Sequence, residues 1–331
     1  MRNPFIISLL ALFLMLVLSL AIGSVFIPPA ELWRVVTDVT SNETFRTILV
    51  NIRLPRTALI ALVGAALAGS GAAYQGLFRN PLADAYLIGV ASGAGLGAVI
   101  AMSVKWPYTQ LGLLSVPFAA FIASLLTVYL VYSLAHVGGS VPTTNLILAG
   151  VAVSSFATSL TSFLMLRSTG EVRRAIGWLL GGVSLVSWEA TFALVPYLAI
   201  GMTTLVLTGY ALNLLQFGDD QAMQMGLNVG RAKFIIIVAA SLVSAAAVSF
   251  AGIIGFVGLI VPHIVRIWWG VDYRRLIPLS IIGGAAVLLF ADVLARIVLA
   301  PRELPVGIVT ALAGAPFFLW VLRRSKNQGL W

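Results

Sequence analysis

Apolar stretches long enough to cross a bilayer recur along the whole chain. They fall at roughly 5–27, 57–77, 86–104, 112–135, 145–166, 191–215, 234–251, 254–269, 277–299 and 305–322. Lipid offers no partner to a backbone N–H or C=O, so each stretch must coil into a helix that satisfies its own polar groups. The expected fold class is all-α: a polytopic membrane protein of about ten transmembrane helices forming one domain over residues 1–331. With 60% hydrophobic and 9% charged residues and a mean hydropathy of +1.04, a soluble fold is excluded. The apolar run from Pro4 to Ile27 follows Arg2 as a signal peptide would, but it is too long for one and reads as a retained first helix. Cysteine is absent, and His136 and His263 lie far apart, so neither a disulfide nor a metal site is expected.

A polar stretch interrupts these runs at about 216–233, reading Q-F-G-D-D-Q-A-M-Q-M-G-L-N-V-G-R-A-K. Asp219 is placed to cap a short helix over about Asp220 to Met225, and Asp220 suits its positive end. Gly226 can end that helix in the left-handed conformation. Such a helix is too short to stand alone, so either the membrane domain or a partner must hold it.

An even number of spans puts both termini on one side, taken here as cytoplasmic. The 20 basic residues then divide evenly, ten to a face, with Arg2, Arg79, Arg231 and Lys233 among the inner ones and Arg53, Arg56, Lys105, Arg296 and Arg302 among the outer. Outer basic residues oppose the usual topology bias, which points to an acidic partner outside. Asp292 and Arg296 are spaced to pair across one helical turn. Pro55, in I-R-L-P-R-T, is suited to start the second helix. Asn80-Pro81 is a turn signal between two apolar runs, as expected of backbone lining a water-filled path. Thr143, Thr144 and Asn145 open the fifth span. Arg167 to Glu189 is too broken to span and is expected at the interface, where Trp178 and Trp188 suit the depth. Pro262 should kink its helix, with His263 satisfying the freed backbone groups.

No lysine is followed by Ser or Thr, so the chain holds no phosphate-binding G-x-x-x-x-G-K-[ST] loop. The mid-membrane stretches carry almost no charge, which disfavours the alternative of a secondary carrier or channel. A polar docking helix without a motor favours transport driven by a separate ATPase, so the chain itself is expected to be no enzyme.

The motifs I-R-L-P-R at 52–56, R-N-P-L-A-D at 79–84, L-A-G-V at 148–151, G-F-V-G-L-I-V-P-H-I-V-R at 255–266, A-D-V-L-A-R at 291–296 and E-L-P-V-G at 303–307 occur in order. In these the chain resembles the permease subunits of ABC importers for iron-siderophores, haem and cobalamin. The resemblance implies a vitamin-importer-type permease fold in the bacterial or archaeal cytoplasmic membrane. It also implies a second permease subunit, two cytoplasmic ATPase subunits that carry ATP and Mg, and an extracytoplasmic binding protein; no cofactor is expected in this chain. Carried over by motif, Gly218, Asp219, Asp220, Ala222, Gly226, Leu227, Gly230 and Arg231 match the ATPase-coupling segment. Arg53, Arg56 and Arg296 match outer arginines that meet acidic groups of the binding protein. Asn80, Leu82, Thr143 and Thr144 match the gate that closes the path on the cytoplasmic side. An iron-siderophore is the substrate expected first, then haem or cobalamin.

Overall fold

The computed structural model describes residues 3–23, 25–37, 43–104, 110–138, 141–167, 172–183 and 186–326, so Arg2 and Lys105 lie outside the described residues. Each expected apolar stretch contains one main helix: α1 Pro4–Ala21, α2 Leu54–Phe78, α3 Val90–Met102, α4 Gln110–Ala135, α5 Thr143–Arg167, α6 Trp188–Leu207, α7 Val229–Ala251, α8 Val257–Trp269, α9 Tyr273–Ile297 and α10 Val306–Lys326. Among the described residues seven are long and apolar enough to cross a membrane, and α3, α8 and α10 supply shorter apolar helices. The expected run 191–215 breaks at Thr208 into α6 and a short helix, Gly209–Leu215. Gly209 allows the break, because a Cβ there would lie 3.0 Å from the Arg274 Cα.

α2 is the central post. Its residues from Val63 to Phe78 are buried, apart from a few near its start. Small residues make this possible by letting backbones touch. A Cβ at Gly64 would sit 2.3 Å from the Gly284 carbonyl oxygen of α9, and one at Gly71 would sit 2.2 Å from that of Gly258 in α8. The Gly-rich helix α3 packs on α4 in the same way, with Gly97 against the Ala119 carbonyl at 2.3 Å.

α3 and α8 have 13 residues each, about 20 Å of helix against a hydrocarbon core of about 30 Å. Each is preceded by a segment with no α-helix, Asn80–Gly89, which holds only the one-turn helix Ala85–Ile88, and Gly252–Phe256, so irregular backbone enters the membrane depth. It is covered by protein: Ala83, Ala85, Ile88 and Ile254 are buried. Gly252 and Phe256 adopt positive φ of 75° and 70° to turn the chain between α7 and α8.

At two of the prolines a donor from another helix takes up the carbonyl left free. Pro262 removes the N–H that would bond Gly258 O, and the Gln75 amide of α2 donates to that oxygen at 3.2 Å. Gln75 in turn accepts from Arg266 at 2.9 Å. The role expected of His263 thus falls to Gln75, which reaches the vacancy from α2, while His263 packs edge-on to Phe317. Pro55 stands second in α2, directly after a π-helical turn, Ile48–Arg53. In that turn Leu54 N–H bonds Leu49 O. The five-residue partner of Val50 O is then Pro55, which has no N–H, and the Trp188 indole donates there at 3.2 Å. Trp178 is not an interfacial anchor: it is 3% exposed, and its carbonyl abuts Gly252, where a Cβ would lie 2.2 Å away.

The α2–α9 contact sets a direct test. Gly64→Val should overpack it and destabilise the protein by about 1–3 kcal/mol, whereas Gly177→Ala, whose Cβ meets nothing within 4 Å, should be neutral. Thermal unfolding in detergent, followed by near-UV dichroism, measures both.

Candidate functional site

Three clusters carry the polar chemistry: a short helix before α7, a turn beside it and a buried arginine cluster at the opposite end. The short helix is Asp219–Gln224, with Gly218 at its N-cap position in a φ of 102° and no side-chain cap bond. Asp219 is therefore inside the first turn, where its carboxylate pairs with Lys233 at 2.5 Å. Asp220 lies in the same turn and is exposed. Gly226 has a φ of 86°. Its N–H bonds Met223 O, and Leu227 N–H bonds Ala222 O at 3.0 Å, the paired bonds of a Schellman end. Asn228 caps α7 by accepting from Arg231 N–H at 3.0 Å, so Gly230 and Arg231 belong to the first turn of α7. The helix is held by its buried Ala222 and by Lys233, which is 6% exposed, while Phe217, Met223 and Met225 stand out from it.

The same segment reaches the turn after α2. The Gln216 amide donates to Gly76 O at 3.0 Å in the last turn of α2. Arg79 then closes α2 with a φ of 50°. Asn80 N–H bonds Gln75 O, and the Asn80 side chain accepts from Leu82 N–H at 2.9 Å. Asp84 caps the short helix Ala85–Ile88. Next, Leu87 leans on α5, where a Cβ at Gly150 would lie 2.0 Å from Leu87 O. Thr143 and Thr144 begin that helix, with Thr144 exposed. Asparagine 213 fixes the neighbouring corner: it donates to Asp272 at 2.7 Å and accepts from Tyr273 N–H. That amide bond holds the Asp272 carboxyl below the usual carboxylate range.

At the far ends of α2 and α9, Asp292 is wholly buried between two arginines. Arg56 donates to its Oδ1 at 2.9 Å and to Glu303 at 2.6 Å, and Arg296 Nε lies 3.0 Å from Oδ2. The expected i, i+4 pair is thus one edge of a four-residue network. Arg296 also donates to Ser19, and Arg53 donates to Leu20 O, Ala21 O and Val25 O. Both guanidinium groups therefore serve the C-terminal end of α1, where carbonyls lack helical partners and the dipole favours cations. Arg53 and Arg296 are 5% and 4% exposed. Arg56 borders a pocket of about 260 Å³, which Arg174, Gly182, Glu303 and Pro305 also line.

A model of the FecCD transport family matches residues 10–324. The chain belongs to this family. It is 46% identical over 288 residues to the cobalamin import system permease protein BtuC of Halobacterium salinarum, covering 87% of this chain and 76% of the relative. It is 39% identical to the hemin transport system permease protein HmuU of Yersinia pestis, covering 97% and 96%. The iron(3+)-hydroxamate import system permease protein FhuB of Bacillus subtilis is 38% identical, covering 94% and 80%. An inward-facing metal-chelate type ABC transporter has the same fold, with a TM-score of 0.82 at 28% identity over 97% of this chain and 98% of that one.

The FecCD chain is accordingly a multi-pass permease subunit of an ABC importer, and not itself an enzyme. The motifs that carry the resemblance occupy two of the clusters just described. R-N-P-L-A-D forms the turn after α2, A-D-V-L-A-R holds Asp292 and Arg296, and E-L-P-V-G starts at Glu303. Reasoning from sequence missed Lys233, Gln216 and Gln75, all of which act on elements remote in sequence. Only the one-turn spacing of Asp292 and Arg296 hinted at the outer network.

Removing the buried carboxylate would leave Arg56 and Arg296 facing each other. Asp292→Ala is expected to cost about 3–5 kcal/mol of stability, read as a fall in the detergent unfolding temperature.

Proposed function

We propose that this permease passes a metal chelate, delivered by an extracytoplasmic binding protein, through a path formed with a second permease subunit. Two cytoplasmic ATPase subunits, carrying ATP and Mg, drive the step. The observation that carries this reading is the Asp219–Gln224 helix. A six-residue helix buttressed by an ion pair and a glycine end, with Phe217, Met223 and Met225 exposed beyond it, suits a soluble partner that must push on a rigid element. Gly218, Asp220, Ala222, Leu227, Gly230 and Arg231 complete that dock, and both termini lie on its side of the membrane.

The outward platform is assigned to Arg53, Arg56 and Arg296. Arg56, at the pocket it shares with Glu303, is the residue placed to meet an acidic group of the binding protein, with Arg53 and Arg296 supporting it from below. Asn80, Leu82, Thr143 and Thr144 are assigned to the inner gate. The exposed face of α5 mixes Leu148, Val151 and Phe156 with Ser155 and Ser159, a weakly polar wall suited to a large, partly apolar cargo. Three relatives bear the names of cobalamin, hemin and iron(3+)-hydroxamate systems, and an iron-siderophore is proposed as the cargo here.

The reconstituted transporter tests the reading. ATP hydrolysis should rise when a binding protein loaded with ferric siderophore is added, more than with haem or cobalamin; equal basal rates in all arms refute it. At the dock, Gly226→Val would force a side chain into positive φ and strain the helix end by about 1–3 kcal/mol. Co-purification of the ATPase and stimulated hydrolysis should both fall. At the gate, Thr143→Cys in the naturally cysteine-free chain should cross-link to its mate in the partner permease in a nucleotide-dependent manner. Cross-linking absent in every nucleotide state removes these residues from the gate.

A further inference from the structure

The Tyr86 side chain joins the two irregular segments that enter the membrane. The Tyr86 hydroxyl donates to Ile254 O at 2.8 Å and accepts from Ile254 N–H at 3.2 Å. Tyr86 thus takes up both backbone groups of one residue in a stretch that has no helix to satisfy them. Its own segment begins at the inner turn, where Leu82 N–H is held by Asn80, and passes through Asp84 at the cap of Ala85–Ile88.

On the other side of Ile254 the contacts lead outward. Ile253 O would lie 2.8 Å from a Cβ at Gly181 and 2.9 Å from one at Gly307. Val306 N–H bonds Gly181 O at 3.2 Å, and three residues earlier Glu303 pairs with Arg56. These contacts are backbone against backbone at glycines, so they leave little room for one part to shift alone. The chain of contacts is continuous from the outer pocket to the inner turn, and the Tyr86 hydroxyl is a side-chain joint between the two irregular segments. The ATPase dock reaches the same turn by a separate route, through Gln216 and Gly76.

We propose that Tyr86 is a positioning residue that clasps Ile254 and so transmits binding-protein docking on the outer face to the inner turn at Asn80–Leu82. This rests on the importer reading above and adds the route by which the outer event is felt inside. A demonstrated effect on both ends is the warrant such a route requires.

Tyr86→Phe keeps the ring and removes the hydroxyl. In the full transporter with its ATPase subunits, assembly and basal hydrolysis should stay within about twofold of wild type, while the increment produced by loaded binding protein falls about fivefold or more. Maleimide labelling of Leu82→Cys should lose its response to the binding protein but keep its response to nucleotide, a split that general misfolding would not give. Incorporating 4-aminophenylalanine at position 86 restores a donor to Ile254 O and should restore the increment. An unchanged increment in Tyr86→Phe, or loss of both labelling responses, overturns the proposal.

Amide exchange tests the clasp without any binding protein, so the two readings can fail separately. In Tyr86→Phe, exchange should speed up both at 252–256 and at 80–84. A change confined to 252–256 means that Tyr86 is only a local brace, and the transmission role is then wrong even if the importer reading stands. Conversely, a wild-type transporter that ignores every loaded binding protein refutes the importer reading, while joint exchange of the two segments still upholds the clasp.

Discussion

A backbone N–H or C=O at membrane depth has to find its partner inside the protein, and this chain breaks its helices at several places where that is difficult. Three of these places are answered by a donor from elsewhere. Gln75 bonds the carbonyl left free by Pro262, the Trp188 indole bonds Val50 O ahead of Pro55, and Tyr86 serves both groups of Ile254. The cost of an unpaired buried group, several kcal/mol in hydrocarbon, exceeds the net worth of an ordinary hydrogen bond, about 1 kcal/mol. These side chains are therefore structural necessities. They also fix where the irregular segments sit, and those segments run between the outer platform and the inner turn.

Charge follows the same logic. Asp292 has no exposure and is neutralised from two sides by Arg56 and Arg296. Arg53 and Arg296 spend their remaining donors on the end of α1. Arginines on an outer surface look from sequence like free docking groups, but two of the three are buried by the folding of α1 over them. Arg56 alone keeps an edge at the pocket, shared with Glu303. A platform of this kind is stiff, because moving one arginine uncovers a buried carboxylate or a helix end.

Stiffness at both ends suits a permease that must convert events at its surfaces into a change at the path. The Asp219–Gln224 helix is pinned by Lys233, and the segment before it is joined to α2 by Gln216. The glycine contacts of α2 with α8 and α9 are too close for sliding by a fraction of a residue.

The sequence by itself determined the fold class and the ten main helices, because apolar length acts locally and lipid forces helix formation. It also placed the positive φ of Gly226 and the pairing of Asp292 with Arg296, each a matter of one helical turn. Only the tertiary structure decided that Asp219 pairs with Lys233 instead of capping, that Trp178 is interior, that Gln75 and not His263 answers Pro262, and that Arg53 and Arg296 are buried. In each of these the deciding partner is brought close only by folding, so no pattern within one segment could reveal it. A side chain's options are set by its type, but its choice among them depends on which unsatisfied group the packing of other helices puts within 3 Å or so.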